Sequence, residues 1–145
     1  MIFEKKLRTE LIRSKLEKLA DALEFIEKTL PSDFSAFKSS KITRNAVYKE
    51  VEFAIELVLD LCAILHSDLR LGIPETEDSI FDHLGEKVFD KKIIILIQDM
   101  KKFRNLLVHR YGTIDDARAF ENILEGLKDF EKIIMTIEEV LKKYS

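Results

Sequence analysis

The stretch DDARAFENILEGLKDFEKIIMTIEEVLKKYS, residues 115–145, decides the fold. Its apolar side chains Phe120, Ile123, Leu127, Phe130, Ile134, Ile137, Leu141 and Tyr144 recur at steps of three and four, the spacing of one face of an α-helix. Asp115 or Asp116 at its start offers a carboxylate to the first free amides, as an N-cap does. A stripe this regular fits an ordinary core face or an oligomer seam, and periodicity alone leaves both open.

Three further blocks repeat the pattern. Leu16, Leu19, Leu23, Ile26 and Leu30 form a stripe that stops at Pro31, which cannot continue a helix. Ser32 to Ser40 reads as a connector. Val47, Val51, Ala54, Val58, Leu61 and Leu65 form the second stripe, ending near Gly72 and Pro74, and a short helix is expected from Asp78 to Leu84. The next block, Asp90 to Arg110, carries Ile93, Ile97, Met100, Phe103 and Leu107, with Gly112 placed to end it in a left-handed cap. No alternating strand pattern competes. The expectation is an all-α, up-and-down bundle of four long helices plus one short helix, with residues 1–145 forming one domain.

Composition agrees with that reading. A chain of 145 residues with four Gly, two Pro and 35% charged residues breaks few helices and buries a core without disulfides. Lone Cys62 lies among Leu61, Ala63 and Ile64 and reads as a buried thiol in a reducing compartment. The N-terminus shows no signal-peptide pattern, and the apolar run Ile93–Ile97 is far shorter than the roughly 20 residues that span a bilayer, so a cytoplasmic protein without membrane attachment is expected.

A net charge of −3 argues against indiscriminate nucleic-acid binding, but the charge is unevenly spread. Residues 91–111 hold six cations against one acid, whereas 72–90 hold six acids against one cation. The basic segment ends in Arg104-Asn105-Leu106-Leu107-Val108-His109-Arg110-Tyr111. Arginine presents a fixed fork of donors to phosphate oxygens, histidine exchanges a proton near neutral pH, and tyrosine supplies a hydroxyl. The same residues also serve as a helix-end hydrogen bonder and a salt-bridge partner in many helices, so residue types alone do not choose.

On a helix, Asn105 and His109 share a face while Arg104 and Tyr111 share a neighbouring one, and all four spread over an arc of about 160°. That is too wide for one compact cluster and suits a cleft between two such helices related by a two-fold axis. Glu56 and Asp60 lie four apart beside the second stripe. His66 and His83 lack spaced carboxylate or thiolate partners, so neither a metal site nor a cofactor is expected. There is no Gly-rich phosphate loop and no Ser or Cys nucleophile arrangement.

The string Arg104, Asn105, His109, Tyr111, with Phe103 before it, Leu107-Val108 inside it and Ile114-Asp115 after it, resembles the Arg-Asn-x-x-x-His-x-Tyr motif of the HEPN superfamily, in its HepT-like toxin branch. The resemblance extends over nearly the whole chain and is weakest at both termini and around residues 31–41. It implies a toxin of a toxin–antitoxin pair: a homodimeric, metal-independent endoribonuclease with Arg104 and His109 catalytic and Asn105 supporting. It also implies neutralisation by an MntA-like nucleotidyltransferase antitoxin that adenylylates Tyr111, and, because the branch carries an acidic residue in the region of Glu56 and Asp60, pairing of those carboxylates with Arg104. The alternative within the same resemblance is a non-catalytic HEPN subunit that positions substrate for a nucleotidyltransferase. A plain helical scaffold is a third reading.

Overall fold

Proline and a series of short polar side chains divide the chain where a helix's first amides and last carbonyls need partners. The computed structural model describes residues 6–109 and 111–144, with the side chain of Tyr111 excepted. Helix α1 (Thr9–Thr29) ends because Leu30, ahead of Pro31, is held extended. Asp33 then caps a helix that the sequence did not suggest, α2 (Phe34–Ser39), by accepting from the Ala36 amide at 2.8 Å. The expected connector over 32–40 is thus mostly helical. Ser40 caps α3 (Lys41–Asp68) through the Thr43 amide.

The end of α3, expected near Gly72 and Pro74, falls at Asp68. Arg70, not a glycine, takes the left-handed conformation (φ 54°), and the Leu71 amide reaches back to the His66 carbonyl at 3.2 Å. Gly72 follows with φ 127°. A Thr76–Ser79 capping box opens α4 (Glu77–Lys87), and the Asp90 carboxylate accepts from the Lys92 amide at the start of α5 (Lys91–His109). Gly112 does not form the left-handed cap expected of it. It lies inside a single 3-10 turn, Tyr111–Thr113. Asp115, one of the two expected caps, accepts from the Ala117 and Arg118 amides and starts α6 (Asp116–Tyr144).

The four long helices run up and down. α1 lies along α3, its start tied to the end of α3 by Arg8, whose amide and Nε both donate to Asp68. α5 packs on α3 with α4 against both, and α6 closes the bundle against α5, α1 and the small helix α2. Every residue named in the second stripe is buried, and the α6 stripe is wider than the step rule gives, since Ala119, Ile133 and Val140 are buried too. Phe37 of α2 is fully buried, edge-on to Tyr48 and against Phe120. α2 is therefore part of the core and fixes where α6 begins. Among the described residues there is no strand, and no helix is long and apolar enough to cross a membrane.

Candidate active site

The motif occupies the last turns of α5, where apolar spacing sets which side chains stay out of the core. Leu107 is buried and anchors the turn. Its neighbours Leu106 and Val108 remain 48% and 41% exposed, and His109 at the helix end is exposed as well. Apolar side chains left beside a polar pair at a helix end are the composition of a surface that a further chain can cover. Arg110 and the side chain of Tyr111 lie outside the described residues.

Arg104 turns away from the helix end and into the angle between α3 and α4. It lines a cavity of about 320 Å³ with Glu56, Asp60, Glu77 and Phe81. One guanidinium nitrogen, Nη1, donates to Asn105 Oδ1 at 2.9 Å. Its Nε is buried and has no hydrogen-bond partner among the described residues, a condition that costs free energy unless something completes it. Asn105 thus orients Arg104 in this arrangement, while the expected ion pairs with Glu56 and Asp60 do not form. Those carboxylates share the cavity, but Asp60 takes Lys15 at 3.3 Å.

One charged residue of this cavity, Glu77, was not visible in the sequence as part of the site. Glu77 comes from the first turn of α4, and it is held by Lys101 at 3.2 Å; Lys101 also reaches Asp78 at 3.4 Å and lies over the Phe81 ring. Lys101 sits three residues before Arg104, so the basic helix pins α4 against the wall of the Arg104 cavity. Nothing in the local pattern around Glu77 signals this, because it depends on how α4 docks on α5.

Beyond the motif, His66 and His83 meet across α3 and α4. His66 Nε2 and His83 Nδ1 are 2.8 Å apart, and the rings stack 13° from parallel. Burial first, and the charge of His83 second, push His66 below the ordinary imidazole value. Among the described residues no group of three or more His, Cys, Asp or Glu is arranged to hold a metal ion.

An all-helical bundle with Arg104 and His109 in the last turns of its penultimate long helix agrees with the HEPN class that the sequence motif resembles. The chain belongs to the family described as Ribonuclease HepT-like, whose model matches residues 19–137. A candidate RNase of Archaeoglobus fulgidus is 27% identical over 128 residues, 88% of this chain and 96% of that protein. The tri-AMPylated HEPN toxin of Shewanella oneidensis, solved with its MNT antitoxin, matches with a TM-score of 0.79 at 22% identity, over 88% of this chain and 96% of that one. A toxin–antitoxin structure with AMP-PNP matches with a TM-score of 0.81 at 21% identity, over 90% of this chain and 98% of that one. At these identities the two solved structures establish a shared fold.

Proposed function

We propose that this chain is the toxin of a toxin–antitoxin pair, a metal-independent endoribonuclease that acts in the cytoplasm as a two-fold dimer of single domains, residues 1–145. The observation that carries the reading is the set Arg104, Asn105 and His109 in the last turns of the basic helix α5, in a chain of the HepT-like ribonuclease family. In this reading the ribose 2′-hydroxyl attacks the adjacent phosphorus and its proton passes to a His109 imidazole. The bond to the 5′-oxygen breaks, and that oxygen takes up a proton, leaving a 2′,3′-cyclic phosphate and a 5′-hydroxyl. Arg104 holds the phosphoryl oxygens as charge accumulates on them, and Asn105 sets the direction of the Arg104 fork. DNA lacks the attacking hydroxyl and is not cut.

The partner is a nucleotidyltransferase antitoxin. Support comes from the solved relatives, which are complexes of toxin and antitoxin, one of them AMPylated. Tyr111 is the acceptor: its oxygen attacks the α-phosphorus of ATP, and pyrophosphate leaves. The attached phosphate places negative charge at the motif and competes with RNA for Arg104 and Arg110. Mass mapping after incubation with the antitoxin and ATP tests this step, with adenylyl mass expected on Tyr111 and none in Tyr111→Phe.

A second reading, a non-catalytic subunit that positions substrate for the nucleotidyltransferase, is favoured by one observation. Arg104 lies in a cavity with three carboxylates, which compete with phosphate for its guanidinium. An RNA cleavage assay in the presence of EDTA separates the two. The first expects cleavage by the wild type, products ending in cyclic phosphate, and loss of both in His109→Ala. Intact RNA with a correctly folded wild-type dimer would leave the second.

A further inference from the structure

On another side of α5 lies a groove that the ribonuclease reading does not use. It opens between α5 and α6 with a volume of about 310 Å³. Its floor is core: Ile55, Ile123 and Phe130 are all nearly fully buried, and Phe103 forms part of the α5 wall. Its rim carries the carboxylates of Asp99, Glu125 and Asp129, and among the described residues no Lys, Arg or His lines it. Asp129 is approached by Lys132 of the same helix at 3.9 Å, whereas Asp99 and Glu125 enter no ion pair among the described residues. Gly126 lies in the lining, and a Cβ built on it would meet no atom within 4 Å. A mid-helix glycine costs about 1 kcal/mol relative to alanine, and here its missing side chain keeps the groove open.

The charge of the rim selects the occupant. A phosphate backbone is repelled by it. A second copy packed through the same groove across a two-fold axis sets like patch against like, so three carboxylates would face three. An occupant that gains from this site is apolar at its centre and positive around it.

We propose that the α5–α6 groove docks a partner protein through an amphipathic segment, which inserts apolar side chains beside Phe103 and Phe130 and sets Lys or Arg against Asp99, Glu125 and Asp129. The mode is that of a helix laid in a groove, with apolar anchors giving affinity and the charged rim giving selectivity. Because Phe103 adjoins Arg104, a seated partner grips the helix that carries the motif without touching the Arg104 cavity.

The test uses the full chain and two synthetic helical peptides, with Leu at i, i+4 and i+7 and either Lys or Glu at the flanking positions. Binding is followed by fluorescence anisotropy. The Lys peptide is expected to bind about tenfold or more tighter than the Glu peptide, each exposed ion pair contributing a little and three together enough for that ratio. Gly126→Leu fills the groove and is expected to weaken the Lys peptide about tenfold or more, while RNA cleavage is unchanged. The triple variant Asp99→Asn, Glu125→Gln, Asp129→Asn bears the test if Gly126→Leu does not fold, and it is expected to remove the preference for Lys over Glu. No binding of the Lys peptide, equal binding of the two peptides, or binding indifferent to these variants overturns the proposal. So does a Gly126→Leu variant whose only change is a switch from dimer to monomer, which would assign the groove to a second copy.

Discussion

Cys62 and His66 sit one turn apart on α3, and removal of water acts on them in opposite directions. Burial penalises the charged form of each, so the Cys62 thiol is pushed up to about 12 while His66 is pushed below its ordinary value. The thiolate is the reactive form, so we predict that Cys62 resists a thiol-specific disulfide reagent at pH 8 in the native protein and reacts at once in urea. Native labelling at the unfolded rate would contradict its burial. For His66 the folded protein takes up the proton at lower pH than the unfolded chain does. Its contribution is therefore fully present above about pH 6.5 and is lost as pH falls from there toward the folded value, by at most about 1.4 kcal/mol per pH unit for one proton. Urea midpoints between pH 7.5 and 5.5 should decline more gently in His66→Leu than in the wild type; parallel curves would remove His66 from the account. The Arg104 guanidinium is held in direction by Asn105, which accepts from Nη1. We predict that Arg104→Lys loses nearly as much RNA cleavage as Arg104→Ala, since an ammonium keeps the charge but not the fork. Near-normal rates with Lys would make Arg104 a point charge only.

Among the elements, α2 is the one whose weight is least apparent from its length. Phe37 is fully buried between Tyr48 of α3 and Phe120 of α6, so the six-residue helix adds an apolar link to the direct contacts that Tyr48 and Arg44 of α3 make with Asp116 of α6. Phe37→Ala is expected to cost about 3–5 kcal/mol, the range for truncating a buried phenylalanine, read as a drop in the urea midpoint. A loss below about 1 kcal/mol, typical of surface positions, would return 32–40 to the status of a linker. The sequence shows the long helices because each repeats its apolar spacing over several turns. It does not show α2, whose two phenylalanines in a Ser- and Lys-rich stretch span too few turns to display a period. The left-handed residue that follows α3 is hidden for a related reason: glycine usually takes that conformation, and only the local hydrogen bonds reveal that Arg70 does so here. The candidate site divides the same way. Arg104, Asn105 and His109 were legible as one string, and Glu56 and Asp60 as one helix face. Glu77, Lys101 and the His66–His83 contact arise from docking of α4 on its neighbours, which no local spacing records.

For the whole molecule the question is how one site can use both ends of the motif. Arg104 and His109 are five residues apart, which on a helix means about 140° of rotation and about 7.5 Å of rise. The Arg104 side chain lines the cavity between α3 and α4, while His109 is exposed at the end of α5 beside the uncovered Leu106 and Val108. A single subunit therefore aims the two groups in different directions, and a dimer brings the Arg of one copy toward the His of the other if the uncovered ends of α5 face each other across a two-fold axis. This makes a prediction that no single-subunit site shares. Arg104→Ala and His109→Ala are each expected to be inactive alone. Mixed under conditions where subunits exchange, they form hybrid dimers, in which one of the two composite sites has an intact Arg and an intact His. With random pairing half the dimers are hybrids, so the mixture should recover roughly a quarter of the wild-type cleavage. The recovery should follow the exchange rate measured with differently labelled subunits. If exchange is complete and no activity returns, or if a monomer separated by size cleaves RNA at the wild-type rate, each site draws its Arg104 and His109 from one chain, and the Arg104 side chain must then leave its cavity to act.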